Sequence, residues 1–232
     1  MKTFSINQKI FEIFNDLHLG IVLCQNINNE KSLQAENLLN LTIQIAKSEL
    51  SSLSNLTDLK VLQDWRNAYK KFNEKKNRSS IESLLRRIYN DKPVSSINPL
   101  VDIYNSISIK YKMPCGGEDI DKIPNNIELT ISNGNESFLQ LGSDYVENPN
   151  RDEIIYTSDN MVICRCFNWR ESDICKLTSE TKNAFLCIEC LDISDLSSLE
   201  SAIGDLSNTV ADLLGGNCKS IILNKKNHKI EI

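Results

Sequence analysis

The sequence of 232 residues contains only two histidines, His18 and His228. Neither lies beside a cysteine, serine or carboxylate motif, so histidine-based catalysis has little support, and both are interpreted as surface or structural side chains. The chain also lacks a glycine-rich phosphate loop followed by Lys-Ser/Thr, a dinucleotide fingerprint and a nucleophile elbow. The common signatures of nucleotide-dependent enzymes and serine hydrolases are therefore absent.

Long apolar runs are missing as well. The first residues lack the apolar core of a signal peptide, and no run is long enough to span a bilayer. We therefore expect a cytoplasmic protein that has no membrane partner. The length suits a single domain with one sizeable core.

The eight cysteines lie mostly within apolar runs, which predicts buried free thiols in a reducing compartment. Zinc is an alternative, because Cys164 and Cys166 share one face of a predicted strand and Cys187 and Cys190 have CxxC spacing. However, Cys187 and Cys190 lie in a strand-like run without the glycine-rich knuckle that usually turns CxxC around a metal. We expect no metal and no cofactor.

The net charge of −5 argues against a generic nucleic-acid binder, and we expect no DNA partner. The charge is uneven, however: residues 60–92 contain ten basic and four acidic residues. A local basic stripe of this kind can bind phosphate backbones. A solvated helix face is an equally favoured interpretation.

Helical spacing dominates the first half of the chain. Apolar residues recur at this spacing in residues 39–50 and 62–72. Capping boxes at Ser79–Glu82 and Ser197–Glu200 predict two further helix starts, and Asn98 followed by Pro99 predicts another.

Strand patterns dominate the second half. The sequence predicts strands over residues 20–24, 127–131, 154–156, 161–167 and 184–191. Asn133-Gly134 is a hairpin signal. This order of elements predicts an α+β fold, with a sheet core and helices packed against it.

A polar segment, Asn168-Trp-Arg-Glu-Ser-Asp173, directly follows one predicted strand. Arg170 is suited to clamping a phosphate or carboxylate, and Glu171 or Asp173 to binding an ammonium group or orienting a water. Asn168 offers a donor and an acceptor, and Trp169 a pocket wall. A surface turn with an Arg–Glu pair and an inward Trp169 is slightly favoured on spacing alone.

A second polar segment is Gly116-Gly-Glu-Asp119. Its glycines permit close approach of a ligand or simply form a turn, and the turn is favoured. Glu118 and Asp119 are then either pocket carboxylates or charges at a helix start. Asn98 is expected mainly to cap its helix, with Asp102 favourable in the first turn.

Five ordered motifs between about Trp65 and Leu191 resemble the free-standing B3/B4 domain proteins, which are related to a module of the phenylalanyl-tRNA synthetase β subunit. The motifs are Arg78-Ser-Ser-Ile-Glu-Ser-Leu-Leu-Arg-Arg87, Ile97-Asn-Pro-Leu-Val-Asp-Ile-Tyr-Asn105, Pro114-Cys-Gly-Gly-Glu-Asp-Ile-Asp121, Asn168-Trp-Arg-Glu-Ser172 and Thr181-Lys-Asn-Ala184.

The resemblance implies a three-layer fold with a β-sandwich-like core flanked by helices. We expect one domain over residues 1–232, with a helical N-terminal extension over 1–60, a family-matching core over 61–195, and a C-terminal helix and strand over 196–232. In the synthetase this module carries the editing site, which hydrolyses tRNA charged with the wrong amino acid. The corresponding pocket here is expected between residues 167–172 and 181–189.

Two departures from the synthetase pattern stand out. A histidine usual near the position of Gly116 is missing, and Asn168-Trp-Arg-Glu171 replaces a glycine-rich segment. The expected pocket is therefore more polar than one built for an aromatic side chain.

The leading hypothesis is a tRNA-interacting domain that hydrolyses a mischarged aminoacyl-tRNA in trans without a metal. The alternatives are a non-catalytic module that binds tRNA or an amino acid, and a small-molecule enzyme unrelated to tRNA. The candidate catalytic residues are Glu171 and Glu118. The candidate substrate-binding residues are Asn168, Trp169, Arg170, Arg165, Asp119, Asp173 and Glu189. The candidate tRNA-binding residues are Lys70, Lys71, Arg78, Arg86 and Arg87.

Overall fold

Two β-sheets face each other in the computed structural model, which describes residues 2–232. The larger sheet has six strands, and β1 and β4 are its only parallel neighbours among the described residues. In spatial order its strands are β12 (Lys229–Glu231), β1 (Thr3–Ile6), β4 (Ile127–Ile131), β7 (Ile154–Ser158), β8 (Met161–Arg165) and β9 (Arg170–Glu171).

The second sheet is fully antiparallel and has four strands. In spatial order they are β11 (Asn217–Leu223), β2 (His18–Gln25), β10 (Ala184–Cys190) and β3 (Cys115–Asp119). A short pair, β5 (Phe138–Leu139) and β6 (Val146–Glu147), lies beside the larger sheet.

Alternation along β10 divides the hydrophobic core. Phe185 faces the larger sheet, where its ring centroid lies 4.9 Å from that of Phe4. Its neighbours Leu186 and Ile188 belong to a separate buried cluster that includes helix residues. Period-two alternation of a strand thus places one face of β10 between the sheets and the other under the helices.

The helices are α1 (Gln8–Ile13), α2 (Leu33–Leu50), α3 (Lys60–Lys71), α4 (Ser80–Tyr89), α5 (Pro99–Tyr111) and α6 (Leu196–Leu214). Both α5 and α6 cover the outer face of the four-stranded sheet, and α2 packs on α5. The predicted α+β class with a sandwich-like core is confirmed. No helix within residues 2–232 combines the length and apolarity needed to cross a membrane.

Two of the predicted helix starts are confirmed in detail. The Ser79 hydroxyl accepts a hydrogen bond from the backbone N–H of Glu82 at 3.3 Å, and Asn98 Oδ1 accepts one from Val101 at 3.1 Å. The box predicted at Ser197 is wrong, because α6 already begins at Leu196.

Three local predictions differ from the structure. The segment predicted as a turn at Gly116–Asp119 is strand β3, and Asn133-Gly134 does not close a hairpin because β4 pairs with β7. The strand predicted to reach Phe167 ends at Arg165. In addition, residues 2–60 contribute β1 and β2 to the two sheets, so this part of the chain is integral to the sandwich.

Candidate functional site

A small cavity lies between the two sheets. Its volume is about 30 Å³, which is room for about two waters. Its apolar walls are Ile127, Ile163, Phe167 and Phe185. The polar groups around it are Glu118, Glu171, Glu189, Asn168, Tyr156 and the thiols of Cys164 and Cys187.

Three carboxyl groups converge on this cavity from three strands. Glu118 comes from β3, Glu171 from β9 and Glu189 from β10. Burial is the main reason why the pKa of each one is raised, because a low-dielectric surrounding disfavours the charged carboxylate. The cavity therefore favours the protonated, uncharged form of its carboxyl groups more than water does.

Glu118 and Glu171 act as a pair. Burial raises the pKa of Glu118 well above its usual range, and the negative charge of Glu171 raises it further. The Oε2 atom of each side chain is buried and finds no hydrogen-bond partner within residues 2–232. A hydrogen bond between the two carboxyl groups also contributes to this shift, which indicates that they share a proton.

Glu189 has the better-defined environment. It accepts a 2.8 Å hydrogen bond from the Tyr156 hydroxyl and a 2.5 Å hydrogen bond from the side-chain amide of Asn168. Burial raises the pKa of Glu189 to about 8, while the two hydrogen bonds act in the opposite direction. This carboxyl group titrates close to neutral pH.

Asn168 is held from both sides. Its Oδ1 accepts hydrogen bonds of 3.2 Å from the Tyr69 hydroxyl and from the backbone N–H of Ser80. The two residues before it, Cys166 and Phe167, have φ of 49° and 64°. Residues with side chains rarely adopt this left-handed conformation, so the strained loop is one reason why Asn168 can reach Glu189.

The adjacent glycines serve packing rather than a turn. A Cβ atom at Gly117 would lie 2.3 Å from Leu186 Cδ2, and one at Gly116 would lie 3.0 Å from Glu171 Oε1. The missing side chains thus let β3 approach β10 and leave space for the Glu171 carboxyl group.

Several predicted site residues do not reach the cavity. Arg165 is buried and forms ion pairs with Glu153 and Glu147, both at 2.7 Å. Arg170 is exposed, and its guanidinium group lies 5.0 Å from the centroid of the Trp169 ring. The guanidinium group of Arg165 lies 5.6 Å from the same centroid. These three residues form a cation–π group next to the site.

The two predicted aspartates have structural partners. Asp119 accepts a 2.7 Å hydrogen bond from the Thr181 hydroxyl and one from the backbone N–H of Asp121. Asp173 forms a 2.9 Å ion pair with Lys176 and accepts from Gly142. Of the predicted set, the cavity therefore unites Glu118, Glu171, Asn168 and Glu189.

The predicted tRNA-binding residues lie on or next to α3 and α4. Part of their charge is neutralised within the protein, because buried Glu82 receives Arg66 and Arg86 at 2.8 Å each and Arg78 at 3.7 Å. Glu82 thus binds arginines instead of closing the predicted capping box. Lys71 donates to the Ile13 carbonyl, Arg87 to that of Pro93, and Lys70 to the Asn67 side chain.

The four thiols considered for zinc point to different places. Cys187 lines the cavity, whereas Cys190 packs in the cluster beneath the helices. In the part of the chain that the structure describes, two other groups bring possible ligand atoms together. One group is Glu74, Glu153 and Cys166, in which Glu153 already binds Arg165. The other group is Asp64, Asp192 and Asp195, and all three of these carboxylates form ion pairs with the Lys60 ammonium group.

Two hydroxyl groups of the site had no predicted role. Tyr156 lies on a strand that was predicted, and Tyr69 lies in a stripe that was interpreted as core. Both are buried, but each hydroxyl group still needs a hydrogen-bond partner. The sequence could therefore have indicated that each hydroxyl group has a polar partner. It could not have indicated which one, because Glu189 and Asn168 are distant in sequence.

The fold and the cavity define an α+β domain in which two facing sheets enclose a carboxyl-lined cavity. The chain belongs to the B3/4 domain family, which matches residues 64–209. This range includes the three cavity carboxyl groups, and it confirms the resemblance that the ordered motifs predicted.

Among solved structures, the chain is similar to an N-terminal fragment of the phenylalanyl-tRNA synthetase β subunit from Pyrococcus horikoshii. The TM-score is 0.44 at 13% identity, over 94% of this chain and 53% of the fragment, so the chain spans about half the length of that relative. No curated protein matches the sequence.

Proposed function

We propose that the chain is a tRNA-interacting B3/4 domain that hydrolyses a mischarged aminoacyl-tRNA in trans. Family membership supports the tRNA link, and Glu189 carries the catalytic part of the proposal. Its pKa of about 8 suits a general base at neutral pH, since a base is most effective when its pKa lies near the working pH.

The cavity carboxyl groups account for binding of the amino acid. An aminoacyl ester carries an α-ammonium group with several donors, and the Oε2 atoms of Glu118 and Glu171 offer two acceptors that have no partner within residues 2–232. In this proposal the two groups share one proton, so the pair keeps one negative charge and matches one cation. A substrate with a single ammonium group is therefore favoured.

In the proposed reaction, Glu189 activates the water that hydrolyses the ester. The cavity has room for a water beside it, and the ionised carboxylate takes a proton as that water attacks the ester carbonyl. The protonated Glu189 returns this proton to the ribose oxygen as the ester bond breaks. The products are the free amino acid and the uncharged tRNA, so atoms and charge balance.

The cavity size favours small amino acids. A volume of about 30 Å³ leaves no space for an aromatic ring. We therefore expect esters of small amino acids to be hydrolysed faster than those of tyrosine or phenylalanine. Arg170 lies next to Glu171 on β9 and is exposed, so it remains a candidate for the terminal ribose-phosphate.

The test is a deacylation panel of correct and mischarged aminoacyl-tRNAs. We expect the wild type to hydrolyse a subset, Glu189→Gln to be slower by about 100-fold or more, and Arg170→Ala to retain part of the rate. Glu180→Gln, an exposed glutamate away from the cavity, is the matched control and should behave as the wild type. If the wild type hydrolyses no ester, the deacylase proposal fails.

The small cavity also favours a second candidate, a non-catalytic module that binds an amino acid or tRNA. In this candidate the cavity takes up only the ammonium group of its ligand. In this case calorimetry would detect binding that Glu171→Gln weakens, while every ester remains uncleaved.

A further inference from the structure

Two cysteines outside the cavity face each other across neighbouring strands. Cys24 of β2 and Cys218 of β11 are direct partners in the antiparallel register, and their Sγ atoms lie 3.4 Å apart. Directly opposite residues in such a pair have Cα atoms about 4.5 or 5.5 Å apart, and both values are within the range of a disulfide. A bond between them thus requires rotation of side chains rather than movement of the backbone.

The register that brings these thiols together is held firmly. All seven residues of β11 pair with β2, from Asn217 opposite Gln25 to Leu223 opposite Leu19. Just before β11, a Cβ atom at Gly216 would lie 2.3 Å from the carbonyl oxygen of Gln25. This close approach fixes where β11 begins, so Cys218 cannot slip to another partner without a change of the turn.

The two thiols differ in environment. Cys24 is buried, with 1% of its surface exposed, whereas Cys218 is half-buried at the outer strand of the sheet. The hydrogen bond between the two thiols lowers the pKa of Cys218 and raises that of Cys24. Cys218 is therefore the accessible, more acidic thiol, and Cys24 is the partner held next to it.

We propose that Cys24 and Cys218 form a reversible disulfide by exchange with a small-molecule disulfide of the glutathione type. The Cys218 thiolate attacks one sulfur of this disulfide, which breaks its S–S bond and releases one small thiol. Cys24 then attacks Cys218 Sγ and gives its proton to the departing thiolate, which leaves as the second small thiol. The protein dithiol is oxidised, and the small disulfide is reduced to two thiols.

The bond would join positions 194 residues apart in the sequence. It would attach the outer strand β11 to β2 and shorten the reach of the unfolded chain, because a cross-link over a long loop restricts the denatured ensemble. The oxidised protein should therefore melt at a higher temperature than the reduced protein. This inference is independent of the proposed deacylase activity.

The experiment treats the reduced full chain with excess oxidised glutathione under native conditions, followed by intact mass and peptide mapping. The wild type should lose the mass of two hydrogens and yield a peptide that links Cys24 to Cys218. Cys24→Ser should stop at a mixed disulfide on Cys218, and Cys218→Ser should react far more slowly. Cys190→Ser is the control, because it removes the alternative Cys187–Cys190 pair and should react as the wild type.

Three outcomes would overturn the inference. These are a persistent mixed disulfide in the wild type, a link between any other pair, and an unreactive Cys218 in folded protein. Melting curves of the reduced variants show whether each one is folded. If Cys24→Ser is unfolded, the peptide map of the wild type alone decides.

Discussion

Asn168 donates a 2.5 Å hydrogen bond from its amide nitrogen to Glu189. The orientation of this amide group is determined by the hydrogen bonds of its oxygen. The oxygen of Asn168 accepts from the Tyr69 hydroxyl and from Ser80 N–H. With two donors at that oxygen, the NH₂ group must point to Glu189. Helices α3 and α4, which carry the basic residues, thus hold the group that contacts the proposed base.

Glu189 predicts the pH dependence of ester hydrolysis. Only the ionised carboxylate can accept a proton from water, so the rate should rise with pH up to about 8, the pKa of Glu189, and then level off. Glu189→Gln should remove this rise, and Glu180→Gln should retain it. Single-turnover rates between pH 6 and pH 9 provide the measurement. The same rise in Glu189→Gln would assign the base to another group.

Tyr69→Phe tests the positioning role of the hydroxyl group. Without this donor the Asn168 amide is less constrained, and its hydrogen bond, which lowers the pKa of Glu189, should weaken. We expect the midpoint of the pH–rate profile to move upward, together with a loss of about 1 kcal/mol in the free energy of unfolding. Tyr145→Phe, at a tyrosine that is 70% exposed, should change neither quantity. A stability loss with an unmoved midpoint would leave Tyr69 a packing role only.

Local patterns predicted the elements of this fold better than their pairing. The cap at Asn98 depends on residues within one turn of helix, and it is confirmed. The convergence of Glu118, Glu171 and Glu189 depends on three strands from two different sheets, and spacing along the chain carries no information on it. The family resemblance placed the pocket near these segments but did not separate Glu171, which faces the cavity, from the adjacent exposed Arg170.

Arg165 illustrates the same limit from the opposite side. Arg165 was predicted to be a substrate-binding residue. The structure gives it two hydrogen bonds to the buried Glu153 carboxylate, of 2.9 and 2.7 Å. Glu153 precedes β7, twelve residues earlier, and only the pairing of β7 with β8 brings the two together.

The cavity carboxyl groups predict that stability falls as pH rises. The pKa of Glu118, Glu171 and Glu189 is raised in the folded state, so the folded chain binds more protons than the unfolded chain. For Glu189 this difference extends over the window from 4.5 to about 8 on the pH scale. The free energy of unfolding should therefore decrease by a few kcal/mol across this window. Urea unfolding at pH 5, 6.5 and 8 measures the decrease.

Glu189→Gln isolates one contribution to this decrease. The glutamine cannot titrate. The free energy of unfolding of this variant should therefore fall less between pH 5 and pH 8 than that of the wild type. Glu180→Gln, at an exposed site, should follow the wild type. Parallel curves for all three proteins would show that Glu189 is not protonated in the folded state at pH 5.

The arrangement around Glu82 indicates which basic side chains can contact a tRNA backbone. Arg66 and Arg86 are bound to this buried carboxylate at 2.8 Å, whereas the Arg78 side chain is 58% exposed and lies 3.7 Å from it. Lys70 is exposed, and its ammonium group donates a hydrogen bond to the side chain of Asn67. Arg78 and Lys70 are thus the candidates with the most freedom to bind phosphate.

We therefore expect tRNA binding to weaken steeply with salt, and the double variant Lys70→Ala/Arg78→Ala to respond less steeply. Each phosphate contact contributes about 0.7 to 0.9 to the slope of log affinity against log salt, so the slope should decrease by about 1.5. The slope is measured from the binding of uncharged tRNA at salt concentrations from about 50 to about 300 mM, a range that includes physiological ionic strength. The control Lys182→Ala/Lys219→Ala removes two exposed lysines outside α3 and α4 and should leave it unchanged. Equal slopes for both double variants would mean that the basic residues of α3 and α4 form a solvated surface without phosphate contacts.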